Sequence, residues 1–493
     1  MFESLGWGFL SLHYALLLVL CIFGVHRLSM VYRWYKHKEA KPEAPAALLT
    51  LPAVTIQIPI FNERNVAARI IEQSVKMDYP SELLQIQVVD DSTDDTYDLI
   101  AQRVAHYEKE GVDIEHIHRV DRRGFKAGAL RDAMDTATGE FIAIFDADFL
   151  PPTDFLEKTI NHFANPKLAM LQTRWSHLNL ESNRLTRTQA MMLDSHFALE
   201  QQVRYGSNML FNFNGTAGIW RTEAIIDAGH WSADTLTEDL DLSYRAQLAG
   251  WQMAYVNDIE CPAELPSNMR AFKSQQHRWA KGGIQVMKKM LGTVWRSDFK
   301  LSKKLEATFH LSNNFAYFVM LVDTLFLLIP SLIMREHLDM PILFWLEIAL
   351  LAISSGSHLL YLYFGQVALK KSKQNALAQL PWLLLLGINL AFNNARAALE
   401  ALRGQESEFV RTPKNGELQI GSQLQVPAAE KAYRTILPNE RGFQLLTSAV
   451  FIFAAGWVVQ VGNWYMLPFL LLLAIGFSLS AIDLPNNKAT TKL

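Results

Sequence analysis

The sequence predicts a cytosolic α/β domain joined to an all-α transmembrane bundle. Three observations carry that prediction. From about residue 42 to 305 the chain is polar and of mixed charge, and short β-branched runs alternate there with helical stretches at βαβ spacing. Apolar segments long enough to span a bilayer flank this block on both sides. Lys and Arg gather at particular ends of those segments, which orients them across the membrane.

The 493 residues leave room for two or three domains. A net charge of −3 carries no nucleic-acid signature. The two cysteines, Cys21 and Cys261, provide neither a disulfide framework nor a zinc spacing.

Residues 8–26 form the first apolar segment, and Arg27, Arg33, Lys36, Lys38 and Lys41 follow it. The positive-inside rule places the N-terminus outside and the chain from about residue 30 in the cytosol. Further apolar segments lie at about 312–333, 341–364, 380–392, 443–461 and 464–483. The third of these five is short, and basic residues flank it at both ends: Lys370, Lys371 and Lys373 before, Arg396, Arg403 and Arg411 after. Residues 380–403 are therefore expected to lie on the cytosolic face as an amphipathic helix. That gives five spans, with six as the alternative. The expected divisions are an N-terminal anchor with its basic flank (1–41), a cytosolic domain (42–305) and two spans (306–364). A cytosolic interfacial segment (365–442) and a final pair of spans with a tail (443–493) complete the chain.

Within the cytosolic block, 54–60 alternates as a first strand and stops at a turn, Phe61-Asn62-Glu63, before a helix to about Met77. Residues 84–89 make a second strand that ends in Asp90-Asp91, and 114–118 a third. A helix opens at Lys126, and 141–145 is a central buried strand ending in Asp146-Ala147-Asp148. Strand and helix in alternation predict a parallel, doubly wound sheet. Its ligand edge lies at the carboxyl ends of the strands, which collects Phe61, Glu63, Asp91, Asp146 and Asp148.

Two carboxylates one residue apart repel each other unless a cation or a solvated turn separates them. A hard divalent cation suits them, because it takes a few carboxylates together with substrate phosphates. A plain turn after a strand explains the pair equally well in isolation, as N-capping would explain Asp91 and core packing Phe61. No G-x-G-x-x-G follows the first strand and no P-loop signature occurs, which sets aside a dinucleotide fold and a P-loop NTPase. Beyond a long helical stretch at about 185–205 comes a glycine-bearing loop, Phe213-Asn214-Gly215-Thr216. Thr237 caps a helix whose first turn holds Glu238 and Asp239, favourable there through the helix dipole alone. Gln252–Val256 returns as a strand, and Gln275 and Arg278 share a helix face beside Trp279.

Taken together, the motifs resemble the membrane-embedded, inverting family 2 glycosyltransferases, above all cellulose synthase and the plant mannan and glucan synthases. The resemblance runs over residues 54–415 in order: Asp91 with Ser-Thr-Asp, Asp146-Ala-Asp148, Thr237-Glu238-Asp239, and Gln275-x-x-Arg278-Trp279. It implies a GT-A type domain that transfers a hexose from a nucleotide sugar, UDP-glucose or GDP-mannose, to a growing β-linked glucan or mannan. The glycan would pass through the membrane as it grows. The alternative is addition of one hexose to a membrane lipid. On matching positions the resemblance implies that Phe61, Glu63, Asp91, Lys126, Asp146, Gln275 and Arg278 bind the donor. Asp146 and Asp148 would hold Mg²⁺ or Mn²⁺, and Asp239 would be the general base. Phe213, Gly215, Thr216, Glu238 and Trp279 would bind the acceptor. Residues 409–414 resemble a loop that covers the nucleotide. Implied partners are the donor, a glycan acceptor, the lipid bilayer and an export subunit, with no nucleic acid. No cyclic-dinucleotide-binding domain is expected after the last span. The short tails favour a bacterial inner membrane over the Golgi.

Overall fold

A computed structural model of the protein describes residues 2–42, 48, 50–338, 341–407, 412, 414, 416 and 438–482. Its α/β part is built on a seven-stranded sheet. The strands are β1 (Val54–Ile60), β2 (Leu84–Asp90), β3 (Ile114–His118), β4 (Phe141–Ile144), β5 (Leu168–His177), β6 (Gly218–Arg221) and β7 (Gln252–Ala263). Their order across the sheet is β3-β2-β1-β4-β6-β5-β7.

The expected parallel sheet is corrected here to a mixed one. β3, β2, β1 and β4 are parallel, and β5 pairs parallel with β7. β6 lies antiparallel between β4 and β5. Six strands thus run one way and β6 runs against them. The consequence for the site is direct. The carboxyl ends of the six strands and the amino end of β6 share one edge, so the loop that leads into β6 joins the loops that leave the others.

Alternation along the central strand divides the core between two faces. Phe141, Ala143 and Phe145 pack on one face with Ile56, Ile58, Ile70 and Ile100. Ile142 and Ile144 pack on the other with Phe213, Trp220 and Leu242. A strand apolar at every position is what a sheet covered on both faces requires.

Among the described residues, six helices are long and apolar enough to cross a membrane: Gly6–His37, Phe315–Leu338, Ile342–Ala368, Lys373–Leu402, Arg441–Gln460 and Trp464–Ala481. The protein is an integral membrane protein. The fourth, at 30 residues, is much longer than its apolar stretch suggests and carries Pro381 inside it. One side of it packs on the sheet-bearing domain and the helix at Met269–Arg296, and the other packs Ile388 and Phe392 on the apolar helices around Phe451 and Phe477. The Arg184 guanidinium sits 4.0 Å from the Trp382 ring centroid, and Leu386 and Leu390 pack on Phe272. Asn393 donates to the Lys273 carbonyl at 2.9 Å, and Glu400 accepts from His277 at 3.0 Å and from Lys281 at 3.1 Å.

Candidate active site

A cleft opens at the shared strand edge, beneath the Met269–Arg296 helix, and encloses about 1260 Å³ with the open solvent at its mouth included. Phe61, Glu63 and Asp91 line one end of it. Phe61 follows β1, and the Arg122 guanidinium lies 3.3 Å from its ring centroid, a cation–π contact. Glu63 stands at the start of the Arg64–Val75 helix, where its carbonyl accepts the Val66 and Ala67 N–H groups. Asp91 is buried, and Arg119 grips it with two hydrogen bonds of 2.8 and 2.7 Å. Such a fork-on-carboxylate pair is geometrically specific, and it fixes this wall of the cleft.

Asp146 and Asp148 come off β4 into the centre of the cleft. Each carboxylate is held by a lysine ammonium: Asp146 by Lys126 and Asp148 by Lys414. Lys126 also donates to the Gly215 carbonyl at 2.9 Å, and Lys414 to the Glu264 carbonyl at 3.0 Å. Burial opposes charge on Lys126, but Asp146, Glu238 and Asp239 outweigh it and hold its pKa above the ordinary lysine value. Two carboxylates that each attract a cation are a fitting donor set for Mg²⁺ or Mn²⁺. Alone they are too few, so diphosphate and water oxygens would have to complete the shell.

The loop before β6 faces these groups. Gly215 has φ of +83°, a conformation costly for any residue with a Cβ, and it closely approaches two charged side chains. A Cβ placed there would lie 3.2 Å from Asp239 Oδ2 and 3.5 Å from Lys126 Nζ. The base candidate, the cation and the Asp146 carboxylate thus converge around one glycine. Asp239 belongs to the first turn of the Glu238–Leu248 helix and accepts the Leu240 N–H at 2.8 Å. Burial, then the neighbouring Glu238, pushes its pKa up to about 7, against the opposing pull of Leu240 N–H, Lys126 and Arg278. A carboxylate poised near neutrality is suited to take up a proton. Glu238 lines the cleft beside it. Gln275, Arg278 and Trp279 reach in from the Met269–Arg296 helix.

Two of the residues expected to meet the acceptor do not line the cleft. Phe213 is fully buried and packs edge-on against Trp220 in the second core, because its neighbour Asn214 takes the outward position. Thr216 is also fully buried, and its hydroxyl accepts the Asp146 N–H at 2.8 Å. It braces the Asp146 backbone. The other twelve site residues predicted from the sequence, Phe61, Glu63, Asp91, Lys126, Asp146, Asp148, Gly215, Glu238, Asp239, Gln275, Arg278 and Trp279, line the cleft together.

The sequence reading missed Arg119 and Arg122, whose role depends on β3 lying beside β2. It also missed Trp175 and His177, which line the cleft from the end of β5, a strand it did not assign. The short apolar run Leu168-Ala169-Met170-Leu171 offered a weak signal for it. Asn214 lines the cleft as well; its N–H donates to Gln172 Oε1 at 2.8 Å. Of the loop expected over the nucleotide, Thr412 and Lys414 line the cleft, while Phe409, Val410, Arg411 and Pro413 lie outside the described residues.

Residues 52–282 match the family described as "Glycosyltransferase like family 2". The chain is 41% identical over 271 residues to glucomannan 4-beta-mannosyltransferase 7 of Arabidopsis thaliana, covering 54% of this chain and 49% of the relative. It is 42% identical over 261 residues to glucomannan 4-beta-mannosyltransferase 9 of the same plant, covering 52% and 49%. The matched region thus spans about half the length of these curated relatives. Among solved structures, a mannosyltransferase of Pyrobaculum calidifontis in complex with GDP-Man and Mn²⁺ is 20% identical, with a TM-score of 0.49, over 82% of this chain and 100% of that one. S. aureus TarS 1–349 is 14% identical, with a TM-score of 0.41, over 72% and 93%.

Proposed function

We propose that the protein is an inverting hexosyltransferase that extends a β-1,4-linked mannan or glucomannan from GDP-mannose, a reading supported by the match of residues 52–282 to the family described as "Glycosyltransferase like family 2". The observation that carries the reading is the convergence of Asp239, Lys126 and the Asp146 carboxylate around Gly215. The names of the two plant relatives support mannose as the sugar.

The nucleoside would lie along Phe61, Glu63 and Asp91, with the diphosphate toward Lys126 and Arg278. Asp146 and Asp148 would hold Mg²⁺ or Mn²⁺, which when bound neutralises charge on the diphosphate. Asp239 takes the proton from the acceptor hydroxyl as that oxygen attacks the anomeric carbon. Lys126 and Arg278 offset the charge left on the departing nucleoside diphosphate. One displacement inverts the sugar, so a single base is enough and no second carboxylate is needed as nucleophile. Trp279 at the cleft offers a flat apolar face to the acceptor sugar, and Glu238 and Asn214 offer polar contacts.

We further propose five spans, with the Lys373–Leu402 helix lying against the cytosolic domain. The support is its chain of contacts with that domain from Trp382 to Glu400. The remaining spans would offer the glycan its route across the membrane. The matched relatives come from a plant and lend no support to a bacterial membrane over a eukaryotic one.

Product analysis tests the function. The full chain in lipid nanodiscs is supplied with Mn²⁺ or Mg²⁺ and radiolabelled GDP-mannose, then UDP-glucose. The expected product is of high mass and is cut by an endo-β-1,4-mannanase. A product that extracts into organic solvent with one hexose attached would overturn the polymer reading in favour of a glycolipid.

A further inference from the structure

The strand pair that carries the donor wall holds a second cluster of ligating side chains. His116 and His118 are two residues apart on β3, so they share one face of the sheet. In the register His118 lies directly beside Asp90 of β2. Asp90 Oδ2 is 3.0 Å from His116 Nε2 and 3.2 Å from His118 Nδ1. The three ligand atoms all fall within 4.8 Å of one another, and this is the one such group of three among the described residues. Asp90 does not line the cleft, whereas Asp91, one residue on, does. The cluster is therefore separate from the Asp146–Asp148 pair.

The surroundings are those of a built site. Asp90 is fully buried, and its other oxygen, Oδ1, accepts the Ser92 N–H at 2.8 Å, which fixes the carboxylate's orientation. Tyr97 closes one side, its ring centroid 5.2 Å from that of His116 and 4.6 Å from that of His118. The His118 side chain is 29% exposed, which leaves a way in from solvent. A single ion with bonds of about 2.0–2.2 Å holds neighbouring tetrahedral ligands about 3.3–3.6 Å apart, near the two carboxylate–imidazole separations of 3.0 and 3.2 Å. Two imidazoles and one carboxylate suit zinc or a similar transition ion, while Mg²⁺ prefers oxygen throughout.

We propose that Asp90, His116 and His118 bind a zinc-type divalent cation at a site distinct from the cleft. Water would complete the shell on the exposed side of His118. The ion would tie β2 to β3 one residue before Asp91 and one residue before Arg119, the ion pair that forms the donor wall. Its role would be to hold that wall rigid.

The test uses the full chain in detergent, purified without a polyhistidine tag and stripped by chelator. Asp148→Asn is introduced to weaken binding in the cleft. The protein is then loaded with Co²⁺ and desalted, and its metal content and visible spectrum are measured. The expected result is close to one Co²⁺ per chain, with the visible absorption of a low-coordinate, nitrogen-ligated ion. Zn²⁺ should displace it, and His118→Gln should weaken retention at least tenfold. An Asp148→Asn chain that retains no Co²⁺, or a His118→Gln chain that retains as much, would overturn the proposal. Either result would mean that the two imidazoles only hydrogen-bond to Asp90. If His118→Gln fails to fold, Zn²⁺-dependent thermal unfolding of the Asp148→Asn chain decides. A midpoint that rises with Zn²⁺ supports the site, and an unmoved midpoint overturns it. None of these readouts depends on sugar transfer, so failure here leaves the glycosyltransferase reading intact.

Discussion

Replacing Asp239 by Asn tests the catalytic assignment and the electrostatics of the cleft in one experiment. The change keeps the side chain's shape and an oxygen for the Leu240 N–H, but removes the carboxylate proposed as the base. Loss of a positioned general base costs about 10²–10⁴ in rate, which is about 3–5 kcal/mol of barrier. The parent enzyme should also show a pH signature. Since burial and Glu238 push the Asp239 pKa up to about 7, log kcat/KM should rise with a slope near one below that pH and level off above it. Stability should move the opposite way. A carboxyl raised from 3.8 to about 7 on folding binds its proton more tightly in the folded state. The stability it contributes is full below about pH 4 and is lost as pH rises toward 7, up to about 4 kcal/mol in all. Asp239→Asn escapes this loss. The variant should therefore match the parent's thermal midpoint near pH 4 and exceed it at pH 8, while turning over donor at least a hundredfold more slowly. Turnover within tenfold of the parent, a flat profile between about pH 5.5 and 8, or a lower midpoint at pH 8 would refute the reasoning.

Four further outcomes are expected. Gly215→Ala places a methyl group 3.2 Å from Asp239 Oδ2 in a left-handed backbone, and should cost about 1–2 kcal/mol in denaturant unfolding and more than tenfold in kcat/KM. Lys414→Met frees Asp148 from its ammonium partner, so the Mn²⁺ concentration for half-maximal activity should fall, by roughly tenfold if about 1.4 kcal/mol of competition is removed. Thr216→Val leaves the Asp146 N–H without its acceptor and should lower stability by about 1–3 kcal/mol, read by thermal unfolding. Arg119→Met leaves the Asp91 carboxylate buried without its main partner and should cost about 3–5 kcal/mol in the same assay.

What the sequence by itself determined follows from local rules. Alternation located β1, and short β-branched or aromatic runs located β2, β3 and the central β4, because strand propensity and the two-residue repeat are local properties. Apolar length and flanking charge located the membrane helices, because the bilayer imposes a fixed thickness and polarity on any segment that crosses it. Carboxylates at strand ends identified Asp91, Asp146 and Asp148, since sheet geometry sends every such end to one edge. Local rules could not show that β6 runs against its neighbours, because strand direction is set by pairing with β4 and β5, far away in sequence. That reversal delivers Asn214 and Gly215 to the site and turns Phe213 and Thr216 inward. Nor could they show that Arg119 holds Asp91, that Lys414 reaches Asp148 across 266 residues, or that His116 and His118 meet Asp90. Those contacts depend on which elements become neighbours. The tertiary structure decided them, because ion pairs and ligand sets require distances of a few ångströms, and chain separation does not specify those distances.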